Sequence, residues 1–407
     1  MGYQMQLSIR SAFLHAMYGL LLALITAAGT ASAQGTLLVG APLPLTGPLS
    51  PEGIKLQRGY DLWMEEVNKA GGIAVGAAKM PVKIVYYDYQ SNTPRAVQLA
   101  EKLVTDDKVN FMFSPFGSGA TKAASAVSEK YGIPTLAPTA SSVEVYDRGY
   151  KNLFGTFTPN DSLSEPMGDL IKASAPGVKR VAILARNDLY PLALGQEFEK
   201  SAKKRGIEVV YFDKYPIGAL DHASAITQIR TTRPDWIVIT GYINDLILIR
   251  KQLGDQKVKP AVLTMINGPV YKEFVDATGP LANHVTTATW WHPAARYVAN
   301  DVFKSSENYT RLFKARYNEE PDFTNATGSA VGVLLQLAIE RAGSIDRDRV
   351  RAALAAGKFQ TFFGPLSFSP EGYANSYVPP IIQLQNGKSV VLYPKEIKNA
   401  DLKLGLD

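Results

Sequence analysis

The feature that most restricts this 407-residue chain is a repeated alternation of short apolar runs with amphipathic stretches. Residues 36–42, 82–88, 109–113 and 133–136 read as strands, 82–88 being made of β-branched and aromatic side chains. Between them, residues 53–70, 94–105 and 121–131 carry apolar side chains at helical spacing. In the first helix these are Leu56, Tyr60, Trp63 and Val67, and Gly71-Gly72 stops it. The alternation then restarts. Strands are predicted at residues 181–185, 209–212, 236–240 and 261–264, and helices at 163–173, 192–204, 222–231 and 245–253. Apolar strands separated by helices imply parallel sheets covered on both faces. Two such series predict two doubly wound, Rossmann-like α/β lobes.

The last third is different. Residues 309–317, 326–342 and 347–355 predict helices, and 366–368, 381–384 and 390–393 predict strands. These cannot build a third α/β domain, so they are expected to complete the two lobes. The division expected is residues 34–155 with 289–380 for the first lobe, and 156–288 with 381–407 for the second. A chain that crosses between lobes more than once makes a multi-strand hinge that permits closure and resists twisting.

Several classes of function are excluded. Apolar residues at 46% and charged residues at 20% are ordinary globular values, which rules out a disordered chain or a coiled coil. The net charge of +6 is spread over 43 basic and 37 acidic residues without a long run of one sign, so no nucleic-acid partner is expected. The nearest approach to a basic cluster, residues 200–205, reads as the solvated end of a helix. With no cysteine, disulfides, thiolate metal sites and Cys nucleophiles are absent. The histidines His15, His222, His284 and His292 lack metal-site spacing, and no cofactor motif is present. Ser201-Ala202-Lys203-Lys204 fits S-x-x-K but sits mid-helix without companion motifs. No catalytic set is found, and an enzyme is not expected; an exported hydrolase would need one.

Residues 1–33 combine Arg10, an apolar core around Leu20, Leu21, Leu22, Leu24 and Ile25, and the segment Ala31-Ser32-Ala33. That pattern predicts a cleaved signal peptide, with an exported product beginning at Gln34. The apolar core is shorter than the roughly 20 residues of a spanning helix.

The segment Phe113-Ser114-Pro115-Phe116-Gly117-Ser118-Gly119-Ala120-Thr121 lies between a buried strand and a helix. In open α/β sheets, ligands sit at the carboxyl ends of strands. Glycines around a serine let backbone N–H groups and a hydroxyl approach an anion, and the helix adds its positive end. The same residues would serve equally as an ordinary helix N-cap. A second loop, Ala137-Pro138-Thr139-Ala140-Ser141-Ser142, follows the next strand with similar chemistry. Alone it reads equally as a turn; the pair of loops favours a shared ligand.

At these residues the chain resembles the periplasmic solute-binding proteins of branched-chain amino acid ABC transporters, the Leu/Ile/Val-binding family. The likeness runs through Pro44-Leu45-Thr46-Gly47, Asn68-Lys69-Ala70-Gly71-Gly72-Ile73 and Tyr87-Asp88-Tyr89-Gln90-Ser91. It continues through Gly117-Ser118-Gly119, Tyr131-Gly132-Ile133-Pro134 and Thr361-Phe362-Phe363-Gly364-Pro365-Leu366-Ser367-Phe368. It implies a type I periplasmic binding fold with three crossovers, a monomer in the periplasm, and a ligand closed in the cleft for an ABC permease and ATPase. It also implies that Ser118, Ala140 and Ser141 hold the ligand carboxylate and that Tyr190 and Tyr242 come from the second lobe, and with the loop reading this gives the candidate site. Phe116, Gly117, Ser118, Gly119, Ala140 and Ser141 would hold a small carboxylate from lobe one, with Tyr190, Tyr242 and Asn267 closing from lobe two. A ligand-sensing receptor of the same fold is the alternative role. Amino-acid binders usually place a Glu where Asn267-Gly268 stands here, and Asp88-Tyr89 replaces a common Asp-Asp. Asn cannot neutralise an ammonium, so an aromatic or other non-amino carboxylate is the expected variant. Trp291, in Trp290-Trp291-His292-Pro293, is the candidate for a ring wall, core packing being its other use.

Overall fold

The computed structural model describes residues 35–406, and the expected signal peptide lies outside them. The chain begins with β1 (Leu37–Leu43), turns through a small hairpin of β2 (Ile73–Val75) and β3 (Ala78–Met80), and continues as β4 (Val82–Asp88), β5 (Phe111–Phe113), β6 (Thr135–Ala137) and β7 (Leu153–Gly155). Five of these form a parallel sheet in the order β4-β1-β5-β6-β7. Its strands are apolar on both faces because helices cover both: in β1, Leu37, Val39, Ala41 and Leu43 are fully buried, while Gly40 abuts Leu103.

The helices begin and end where local chemistry dictates. The Thr93–Thr105 helix starts at Asn92, whose side chain accepts the N–H of Arg95 at 2.9 Å, with Pro94 in the first turn. The Ser50–Lys69 helix ends at Gly71 and Gly72, both at positive φ. A Cβ at Gly72 would lie 2.3 Å from the Met80 carbonyl oxygen, so only glycine lets the chain fold back onto the β2–β3 hairpin.

The second lobe is built on β8 (Arg180–Arg186), β9 (Glu208–Tyr215), β10 (Trp236–Thr240), β11 (Val262–Ile266) and β12 (Val285–Ala288). After a hairpin of β13 (Phe359–Thr361) and β14 (Gly364–Leu366), the chain adds β15 (Ile381–Gln385) and β16 (Lys388–Tyr393). The sheet order is β16-β15-β12-β11-β10-β8-β9. The last two strands run antiparallel, a departure from the all-parallel reading. The β15–β16 pairing has a local cause: Asn386-Gly387, both at positive φ, forms a two-residue turn that returns the chain beside itself.

The last third adds a buried helix, Phe323–Ala342, laid against Ser50–Lys69 of the first lobe. Glycines set their closeness. A Cβ on Gly59 would sit 2.2 Å from the Asn325 carbonyl oxygen, and one on Gly332 would sit 2.1 Å from Cδ2 of Trp63. The Ser329 hydroxyl donates across the contact to the Gly59 carbonyl at 2.6 Å.

The chain passes between the sheets three times, after β7, after β12 and before β15. These segments are tied together. The Thr289 N–H donates to the Pro380 carbonyl (2.9 Å), the Tyr377 hydroxyl to the Thr156 carbonyl (3.0 Å), and the Trp290 indole N–H to the Thr158 carbonyl (3.3 Å). The two-lobe α/β fold read from the alternation is the one observed.

Candidate functional site

A small cavity lies where the carboxyl ends of both sheets face each other. The first lobe contributes Phe116 and Gly117 after β5, and Thr139 and Ser141 after β6. The second contributes Tyr190 after β8, Tyr242 after β10, and Asn267 and Tyr271 after β11. Crossing segments supply Phe157 and Trp290, and Phe323 begins the long buried helix.

The first-lobe wall is a web of hydroxyls and backbone N–H groups. Gly117 has φ +83°, and its N–H donates to Thr139 Oγ1 at 2.9 Å. A Cβ there would lie 3.3 Å from the Tyr242 hydroxyl, so glycine also admits that phenol to the loop. Ser118 is fully buried beneath, its Oγ accepting the N–H groups of Ser141 and Ser142 at 3.3 Å each. The Ser141 hydroxyl donates to Asn160 Oδ1 at 2.7 Å. From behind, the Tyr89 hydroxyl donates to the Phe116 carbonyl at 3.3 Å. Asp88 accepts from the backbone N–H groups of Leu45 and Thr46 and from the Thr46 hydroxyl, pinning the first loop of the chain. Partial burial works against its charge, but the hydrogen bonds from Thr46, Gln90 and Leu45 win and hold its pKa below the usual value.

The second-lobe wall is aromatic and neutral. Trp290 stacks flat on Phe157, with centroids 4.0 Å apart and an interplanar angle of 1°. Tyr190 lies 6.1 Å from both Trp290 and Tyr242, and Tyr242 lies 5.6 Å from Phe116 of the other lobe. Burial pushes the Tyr190 and Tyr242 phenols up, so both keep their protons as O–H donors. Asn267, at φ +75°, donates from Nδ2 to the Tyr190 oxygen at 3.0 Å. Its Oδ1 is buried without a partner, an open acceptor at the cavity wall. Among the described residues no charged side chain lines the cavity. Arg186, packed over the Tyr242 ring at 5.1 Å, is bound to Asp245 at 2.6 Å.

The structure thus brings Phe116, Gly117, Ser141, Tyr190, Tyr242 and Asn267 to one cavity. Ser118 stands one layer back, as the pin between the two loops. Ala140 lies in a small core with Ala137, Val145 and Tyr146, and Gly119 faces Asp188. Trp291 does not reach the cavity. It packs edge-on against Tyr309 and Phe362, while its neighbour Trp290 takes the wall. Thr139 stood in the loop already singled out by its hydroxyls. Phe157, Tyr271 and Phe323 carried no local signal, since an aromatic next to a crossing looks like any core residue.

Comparison with known proteins matches this architecture. A model of the periplasmic binding protein family covers residues 36–387. The Leu/Ile/Val-binding protein homolog 7 of Brucella melitensis is 25% identical over 392 residues, 93% of this chain and 96% of that protein. Among solved structures, the branched-chain amino acid transporter substrate-binding protein LivJ of Streptococcus pneumoniae, in complex with isoleucine, superposes with a TM-score of 0.79 at 24% identity, covering 88% of this chain and all of that one. An ABC-transporter solute-binding protein of R. palustris, in complex with benzoate, gives 0.75 at 23% identity, covering 90% and 99%. The chain belongs to the periplasmic binding protein family and shares the fold of these solved structures.

Proposed function

We propose that this protein captures a small aromatic carboxylate between its lobes in the periplasm and presents it to the permease and ATPase of an ABC importer. The observation that carries the reading is the makeup of the cavity wall: rings, hydroxyls and one open amide oxygen, with no acid. A carboxylate set against Gly117, Thr139 and Ser141 faces hydroxyls, the Tyr242 phenol and the positive end of the Ser118–Lys130 helix. Phe116, Tyr190 and Trp290 offer aromatic faces against which a ring would pack. An α-ammonium would be buried without a counter-charge, which costs several kcal/mol. A neutral donor on the ligand would instead satisfy Asn267 Oδ1. Benzoate in the R. palustris relative is consistent with such packing. No bond is made or broken; closure is favoured only by the contacts the ligand gains there.

The test is calorimetry and thermal melting of the purified protein with benzoate, other aromatic acids, short-chain acids and leucine. An aromatic acid is expected to raise the melting temperature and leucine to leave it nearly unchanged, since a ligand of the native state stabilises it by mass action. Leucine binding more tightly than every aromatic acid would overturn the proposal.

A further inference from the structure

A buried acid outside the cavity lining reaches from one lobe to the other. Glu52 stands in the first turn of the Ser50–Lys69 helix of the first lobe and is 1% exposed. Its Oε1 accepts the backbone N–H of Ile243 at 3.2 Å. Ile243 opens the Ile243–Asp255 helix of the second lobe, and the residue before it is Tyr242. The other oxygen, Oε2, is buried without a partner. Two more contacts join the lobes beside it. Asn244 Nδ2 donates to the Pro48 carbonyl at 3.1 Å, and Lys55 bridges Glu273 of the second lobe (3.0 Å) and Asp322 of the first (2.8 Å).

We infer that Glu52 is a positioning residue: by capping the Ile243–Asp255 helix across the cleft, it fixes Tyr242 over the bound ligand in the closed form. The first N–H groups of a helix have no partner within it. Here one of those N–H groups is satisfied by a carboxyl that only lobe contact can deliver. Opening the cleft would return both groups to water, so the bond forms with closure.

Closure then moves a proton. Burial pushes the Glu52 carboxyl up to about 7, opposed by the Ile243 N–H and Lys55. The other groups facing it are Asp245, held by Arg186, and the phenols of Tyr89, Tyr242 and Tyr271. In an open, hydrated cleft the carboxyl relaxes toward its ordinary 4.5. An acid whose pKa is higher in the closed form takes up a proton on closing. The closed form is therefore favoured at low pH, and the advantage fades as pH rises through about 7. Ligand affinity should fall on the order of tenfold between pH 5.5 and 8.

This rests on the cleft being the ligand site, not on which ligand fills it. The experiment is calorimetry from pH 5.5 to 8 with benzoate and with leucine, alongside X-ray scattering of the ligand-free protein over the same range. Wild type is compared with Glu52→Gln and Ile243→Pro. Proline is tolerated at the first position of a helix, and Tyr242 already has the extended backbone a following proline requires, so this variant takes away the N–H, together with the buried Ile243 side chain, without breaking the helix. Expected in wild type is weaker binding, or a larger radius of gyration, as pH rises. Glu52→Gln should flatten that dependence, while Ile243→Pro, by removing an N–H that favours the charged carboxyl, should carry it to higher pH; both should keep the cooperative melting of a folded protein. An identical pH profile in wild type and Glu52→Gln, by whichever probe binds or by scattering, would overturn the inference. Leucine binding without benzoate would overturn the aromatic-ligand reading and leave Glu52 to be judged on the leucine profile.

Discussion

Single residues here do two jobs at once. Gly117 needs its absent side chain both for a positive φ and for the approach of Tyr242. Ser118 was chosen for its hydroxyl, and the hydroxyl turns out to be an acceptor that gathers two buried N–H groups of the neighbouring loop. Ser118→Ala would leave both without a partner. The expected cost is about 1–3 kcal/mol of folding stability, read as a lower urea midpoint, and a matching loss of ligand affinity by calorimetry. A stability equal to wild type would mean that the loops hold without the pin. At this scale the sequence was legible where backbone chemistry is distinctive, as in Gly117-Ser118 or Asn267-Gly268. It was not legible where the choice was rotational: nothing in the pair Trp290-Trp291 says which indole faces a cavity until the crossing segment has a direction.

At the scale of elements, period and stop signals located most of the fold, because a strand buried on both faces and a helix capped by Asn92 leave strong local traces. The short hairpin β2–β3 escaped, and of β13–β14 only a strand at 366–368 was read, two residues beyond the observed Gly364–Leu366, since such brief strands are decided by tertiary contact. The role of the Phe323–Ala342 helix was also hidden. Glycines look like weak helix formers, yet Gly59 on the Ser50–Lys69 helix and Gly332 on this one exist for proximity. Gly332→Ala would drive a methyl into Trp63, so overpacking should cost on the order of 1–3 kcal/mol. Alanine is the better helix former, so a higher melting temperature in that variant would show that the contact relaxes freely.

For the whole molecule, the cleft is assembled from turns far apart in the chain, between Phe116 and Phe323. No local spacing encodes that meeting; sheet topology does, by sending every functional loop to the carboxyl ends of the strands. The same topology puts the hinge against the ligand. Phe157 and Trp290, stacked face to face, belong to two of the three crossing segments. Whatever occupies the cavity therefore touches the parts that bend.

That stack gives the protein a built-in optical reporter. Of the four tryptophans, Trp63 and Trp236 are enclosed in the separate lobes and Trp291 is turned away, so Trp290 alone borders the cavity. A guest entering beside this indole should change its emission, by quenching or by a shift in wavelength, with no dye attached. Replacing Trp290 by Phe should silence the signal while the other three continue to fluoresce. Occupancy would then be visible in a stopped-flow trace, at the speed of closing.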